Sequence, residues 1–325
     1  MALTRPILNR ELKIAQIMSN DILLNQRVAK VDFTEEADFG FQLLRRRETI
    51  DKIDSELSGT DPPNLSSSTL DNIDVFIPNE KEQTAIGNFF RTLDDTIALY
   101  KRKLDRLREM KKSYLQQMFP KTGESYPKVR FKGFTEPWYV RKLGDVVERV
   151  QGNDRIMDLP TLTISAGNGW LDQRDRFSGN IAGKEQENYT LLSKGELSYN
   201  KGNSKLAKYG VVFELKTYDK ALVPRVYHSF RTTHEANATF LEYLFATKIP
   251  DGELAKIITS GARMDGLLNI GYESFAGISL CIPNIREQVA ISNYLRVFDN
   301  QISYQKQKTD LLGRLKSAYL QKMFI

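Results

Sequence analysis

"IPNEKEQTAI", beginning at Ile77, returns as "IPNIREQVAI", beginning at Ile282. An offset of 283 − 78 = 205 positions aligns residues 73–119 with 278–324 without a gap. About 22 of roughly 50 positions agree, among them Pro78/Pro283, Asn79/Asn284, Glu82/Glu287, Gln83/Gln288, Asp94/Asp299, Tyr114/Tyr319 and Phe119/Phe324. A chain that writes one unit twice builds it twice, so the fold needs two equivalent arms. "IDVFIP" and "ISLCIP" read as short strands, each ended by a proline that cannot donate to a sheet ladder. A helix follows each one. Asn79 and Asn284 stand at the N-cap, with Glu82 and Glu287 three residues later, the spacing of a capping box.

Beyond the caps, Leu93, Ile97, Tyr100, Leu104, Leu107, Lys111, Tyr114 and Met118 alternate at spacings of four and three, the pattern of a seam facing another helix. The second copy keeps the register with Phe298, Ile302, Gln305, Thr309, Leu312, Lys316, Tyr319 and Met323, a more polar seam. Each helix is expected to run about 25 residues, roughly 40 Å. Two such helices in one chain pair most simply with each other. An antiparallel pair has a pseudo-twofold axis and holds whatever precedes each copy some 35 to 40 Å apart, about one turn of B-DNA.

Residues from about 127 to 275 differ in character, with many short strand candidates and polar loops. "GELSYNKGNSKLAKYGVVFEL" alternates around a loop of Gly, Asn, Ser and Lys, "KALVPRVYHSF" reads as one strand, and "NATFLEYLFAT" and "GELAKIIT" as helices. The residues before the first copy echo only the end of this region: "NDILLNQRVAKVDF" resembles "YDKALVPRVYHSF". The expected class is α/β (α+β), with globular mixed domains joined by two long helices in an antiparallel coiled coil. The expected divisions are a partial first domain at 1–76, a first helical region and linker at 77–126, a complete second domain at 127–281 and a second helical region at 282–325.

Composition narrows the chemistry. The 325 residues, 41% hydrophobic, suffice for two or three cores. No apolar run reaches the eighteen or so residues of a membrane span, so a cytoplasmic protein without membrane contact is expected. One cysteine, Cys281, with two histidines, His228 and His234, argues against a disulfide and a zinc or iron site. The net charge of +6 permits a polyanion partner without requiring one.

Three motifs carry less than they promise. "DPPN" at 61–64 resembles the tetrad with which amino-methyltransferases clamp a base, but Asn64 replaces the aromatic and no glycine-rich cofactor turn accompanies it. "GNIAGKE" at 179–185 is one residue short of a phosphate loop and has Glu185 where Ser or Thr is needed. The cations of "YKRKLDRLREMKK" read first as solvated faces of the coiled coil. No catalytic constellation and no metal site emerges.

The combination of "IPNEKEQTAIGNFFRTLDDTIALYKRKLDRL", "YLQQMFP", "PKVRFKGFTEPWYVRKLGDVVE" and "IPNIREQVAISNYLRVFDNQI" closing on "YLQKMF" resembles the DNA specificity subunits of Type I restriction-modification systems, over nearly the whole chain. The resemblance implies two target-recognition domains on an antiparallel coiled coil, in a subunit that is not itself catalytic. It implies double-stranded DNA as ligand and modification subunits as partners that methylate adenine with S-adenosylmethionine. Restriction subunits join to translocate and cleave DNA with ATP and magnesium. The chain departs from the family in a first domain that is short on its N-terminal side. Three readings follow: one half-site read by the second domain, a self-dimer reading a palindrome, or a missing piece supplied by another polypeptide. A subunit that only assembles or regulates, without full bipartite specificity, is the alternative.

Specificity then needs side chains that reach base edges. In "SAGNGWLDQRDRF" the candidates are Asn168, Gln173, Arg174 and Arg176, with Trp170 either stacking or filling a core. In "YNKGNSK" they are Asn200, Lys201, Asn203, Ser204 and Lys205, where glycine lets the backbone approach closely. Arg263 in "SGARMDG" is a third site. If either residue reads a base, Arg174→Ala or Asn203→Ala should cost about 1 to 3 kcal/mol on the cognate sequence alone.

Overall fold

A computed structural model describes residues 1–324 except 18, 20, 34–35, 58–61, 156–157, 175–182, 203 and 259–266. It has two compact units, Met1–Leu107 with Gln301–Ile325, and Arg108–Asn300. The boundaries fall inside two long helices, α4 (Glu80–Gln117) and α9 (Ile285–Lys322), each of 38 residues. Both exceed the expected 25, since no proline interrupts the run from the cap through the seam. Among the described residues no helix is long and apolar enough to cross a membrane.

In the first unit, β1 (Ile7–Leu8) and β2 (Glu11–Leu12) form a small antiparallel hairpin. Three short helices follow: α1 (Ala37–Leu43), α2 (Arg47–Ser55) and α3 (Ser67–Asp71), the last capped by Ser66 accepting from the Thr69 amide at 3.0 Å. Leu12, Ile50, Ile53 and Leu65 make one core. Phe39, Ile86, Phe90, Leu320 and Phe324 make another, with Phe39 stacked on Phe324 at 5.3 Å. "IDVFIP" is not a strand here. Residues 73–79 carry no regular structure, and Val75, Phe76 and Ile77 are exposed.

The second unit opens with β3 (Tyr139–Lys142), α5 (Leu143–Val146) and β4 (Val147–Val150). A hairpin of β5 (Leu162–Ser165) and β6 (Gly169–Asp172) comes next, then β7 (Thr190–Ser193), β8 (Leu197–Asn200), β9 (Val211–Glu214), β10 (Lys220–Val223) and β11 (His228–Thr232). The remaining elements are α6 (Ala238–Ala246), α7 (Asp251–Ile257), α8 (Tyr272–Ala276) and β12 (Ser279–Ile282). The central antiparallel sheet has the order β4-β11-β8-β9, while β7 pairs with β10 and β3 with β12. "KALVPRVYHSF" is therefore two strands in different sheets. Pro224 ends the first, and the Tyr227 amide closes a turn on the Pro224 carbonyl at 3.0 Å. The core sits between the central sheet and α6, α8 and α9, where Tyr199 stacks flat on Phe275 at 4.4 Å.

In both units the long helices run antiparallel. Asp94 holds Lys316 at 2.5 and 2.6 Å and the Tyr100 carbonyl accepts from Gln305 in the first unit. In the second, Lys111 pairs with Asp299, and Tyr114 packs on Tyr294 and Phe298. Asp94–Lys316 and Asp299–Lys111 are the same two repeat positions with the copies exchanged. The lysines that broke the apolar seam are thus paired across it. Tyr319 departs from the expected seam: it is exposed, with its ring against Phe89 at 5.2 Å, while Leu320 is buried.

The repeated phrase itself now has a physical content. Asn79 and Asn284 accept from the Glu82 and Glu287 amides, both at 3.1 Å. Gln83 and Gln288 donate to the Pro78 and Pro283 carbonyls at 2.8 and 2.9 Å, tying the helix start to the proline before it. Glu287 has a different partner from the one a capping box gives it: fully buried, it takes a bidentate pair from Arg130 at 2.7 and 2.8 Å.

Candidate nucleic-acid interface

The two polar loops of the second unit lie side by side. Strands β5 and β6 pair with Ser165 opposite Gly169, so Ala166, Gly167 and Asn168 form the turn. Gly169 has φ +71°, the left-handed geometry that a three-residue hairpin loop needs after its turn. Strands β8 and β9 pair with Asn200 opposite Val211, which throws out the loop 201–210. A Cβ added at Gly167 would lie 3.5 Å from Leu206 of that loop. The loop closes at Gly210, with φ +81°, where a Cβ would fall 2.5 Å from the Asn200 carbonyl oxygen. Only glycine fits there.

The candidates divide sharply. Asn168 at the hairpin tip is exposed, as are Ser204 and Lys205 on the adjacent loop. Arg174 is exposed too, but it stands two residues beyond the far end of β6, a strand that itself spans roughly 13 Å from the tip. Gln173 is buried, 3% exposed, and its backbone N–H donates to the Thr161 carbonyl at 2.9 Å, so the end of the hairpin turns it inward. Trp170 fills the core edge, and its indole N–H donates to the Glu214 carbonyl at 3.1 Å. Asn200 is a clamp: its amide donates to the Ile164 carbonyl at 3.1 Å while its oxygen accepts from the Gly202 amide at 3.0 Å. Lys201 reaches the Ile270 carbonyl at 3.3 Å. Ser204 holds its own turn by accepting from the Ala207 amide at 3.1 Å. Arg176, Asn203 and Arg263 lie outside the described residues.

Behind the tip lies a groove of about 610 Å³ lined by Asn168, Trp170 and Leu206 on one side and Glu242, Tyr243 and Lys248 on the other. Three lysines there, Lys111, Lys216 and Lys248, face three carboxylates, Glu214, Glu242 and Asp299. Lys216 pairs with Glu242, and Tyr243 donates to Asp299 at 2.5 Å. Burial raises both the Glu242 carboxyl and the Tyr243 hydroxyl pKa. This balance leaves no cationic excess for a phosphate, and the groove walls anchor the two loops rather than offer charge. Sequence periodicity could not show this network, because its members come from four elements. His228 is buried on the Ile270 carbonyl at 2.8 Å, and desolvation brings its pKa down to about 4.

The family described as "Type I restriction modification DNA specificity domain" matches residues 13–109. The specificity subunit of the Type I restriction enzyme MjaVIII from Methanocaldococcus jannaschii is 28% identical over 298 residues, 86% of this chain and 67% of that protein. The chain is thus similar to Type I DNA specificity subunits over most of its length. Among solved structures, the S subunit of a Type I restriction-modification system from M. genitalium shares the fold, with a TM-score of 0.53 at 14% identity over 89% of this chain and 72% of that one. The HsdS subunit from Thermoanaerobacter tengcongensis aligns at a TM-score of 0.44 and 18% identity, over 88% and 69%. The matched segment 13–109 contains most of the first copy of the repeat, and the two loops described above lie between the two copies.

Proposed function

We propose that the chain is the sequence-reading, non-catalytic subunit of a Type I restriction-modification complex. In this reading, the hairpin tip at Asn168 and the loop bearing Ser204 and Lys205 meet double-stranded DNA. The observation that supports it most is the specificity-domain match at 13–109, whose last part, from residue 73 on, the chain writes again 205 residues later. Asn168 has the bidentate amide that suits adenine, and Lys205 supplies a point charge for a phosphate. Asn200 and Lys201 set the loops' shape from behind. Partner modification subunits methylate adenine with S-adenosylmethionine, and restriction subunits use ATP and magnesium. No group of His, Cys, Asp or Glu able to hold a metal occurs among the described residues of this chain.

The test is footprinting of the chain assembled with its modification subunits. Asn168→Ala should cost about 1 to 3 kcal/mol on the cognate site and little on random DNA, whereas Lys205→Ala should weaken both equally and flatten the salt dependence. The exposed apolar segments of the first unit favour a second reading, a subunit that assembles without bipartite specificity. It would form the complex and protect no sequence.

A further inference from the structure

The loop that carries Ser204 and Lys205 has a counterpart in the first unit, at an offset of 200 − 2 = 211 − 13 = 198 positions. There the Ala2 amide donates to the Lys13 carbonyl at 2.9 Å, as Asn200 pairs with Val211, so residues 3–12 stand where 201–210 stand. On its other side Ala2 bridges Val28, as β8 lies against β11. The Leu65 amide then donates to the Leu3 carbonyl and the Leu268 amide to the Lys201 carbonyl, both at 2.8 Å. The two loops also expose the same kinds of side chain at the same places. Leu8 and Leu206, sixth in each, are 58% and 74% exposed. Arg10 and Lys208, eighth in each, are exposed cations, and the tenth residues, Leu12 and Gly210, are buried.

Their shapes differ. Residues 201–210 close through a Ser204–Ala207 turn, whereas 3–12 fold into the β1–β2 hairpin, with Leu8 paired to Glu11 across a two-residue tip. Asn9 and Arg10 at that tip have φ +52° and +66°. Positive φ at both places is type I′ geometry, which asparagine tolerates and whose second place favours glycine. Arg10 holds that place against its backbone preference, and among the described residues no carboxylate pairs with it. Other arginines of the unit are spoken for: Arg46, Arg47 and Arg91 pair with Glu48, Asp51 and Asp38. A strained cation kept at an exposed tip marks a contact made there.

We infer that the 3–12 hairpin is a second contact of this chain with double-stranded DNA, in which Arg10 reads a guanine from the major groove. A two-stranded ribbon fits that groove, and a guanidinium meets the O6 and N7 acceptors of guanine with two parallel hydrogen bonds. Leu8, exposed beside the tip, suits a thymine methyl. The ribbon is held firmly from behind, where Leu12 and Ile7 pack with Ile50, Ile53 and Leu65 and the Lys13 amide donates to the Pro6 carbonyl at 2.7 Å. This rests on reading 201–210 as a DNA contact, the loop whose frame the hairpin shares.

The test is selection of bound duplexes from a random library by the chain assembled with its modification subunits, with Arg10→Gly and Asn168→Ala in parallel. Arg10→Gly removes the side chain and relieves the tip, so this variant should unfold in urea no earlier than the unaltered chain. Expected is a selected sequence of two blocks, with Arg10→Gly relaxing a guanine in the block that Asn168→Ala leaves alone, roughly 10- to 100-fold in preference. Arg10→Lys should keep affinity for random DNA and lose most of that preference. A selection unchanged by Arg10→Gly, or an equal loss on every duplex, overturns base reading by Arg10. If Asn168→Ala still relaxes its own block in that case, the second unit's role survives. A variant that unfolds earlier and relaxes both blocks would make Arg10 a prop of the fold, which overturns the assignment as well. If the unaltered complex selects no sequence, both readings fall.

Discussion

The two copies of "IPN..EQ.AI" place one sequence in two environments. In both, asparagine caps the helix and glutamine ties down the proline carbonyl, so these contacts belong to the sequence itself. Among the described residues, the strand before the proline and the ion pair of the glutamate occur only in the second copy, because both need residues 130–142. A local motif thus specifies its cap wherever it stands, and a strand only where another strand meets it.

The largest expected difference is at the glutamates. Glu287→Ala strands the Arg130 guanidinium, 14% exposed, and should cost about 3 to 5 kcal/mol, against less than about 0.5 for Glu82→Ala, in urea unfolding of the two variants. Leu280→Ala should cost about 2 to 4 kcal/mol and Val75→Ala almost nothing, and equal costs would mean that residues 73–78 are packed after all. Acid should also distinguish the units. His228 has a folded pKa near 4 against an ordinary 6.5, so folding favours its neutral form. The stability this gives, about 3 kcal/mol, is complete above pH 6.5, falls between 6.5 and 4, and changes no further below. Protection factors at β8 and β11, corrected for the intrinsic pH dependence of amide exchange, should fall over that interval while those at α1 and α2 do not follow. The smallest contrast lies in the helices: Lys316→Ala and Lys111→Ala remove the same repeat contact and should each cost about 1 to 2 kcal/mol.

The helices, their caps and their antiparallel seam were legible because spacing alone encodes them. Lys111 and Lys316 even marked their own partners, since Asp94 and Asp299 are among the repeated positions. The failures share one cause, contacts distant in sequence. "IDVFIP" has a strand's composition and no strand to meet, and the two strands within "KALVPRVYHSF" part at Pro224 because β7 and β8 claim different halves. In the loops, polarity in sequence did not separate exposed side chains from those that support the fold. Asn168 and Lys205 are exposed, whereas Asn200 and Lys201, equally polar in sequence, bond to the scaffold and Gln173 is buried.

The most direct test of the DNA-reading role is a genome-wide map of adenine methylation in cells carrying this chain with its modification subunit. An interrupted motif should appear, and Asn168→Ala should relax it within one half. A genome without a motif, or a motif unchanged by Asn168→Ala and Lys205→Ala together, would contradict recognition by the second unit's loops.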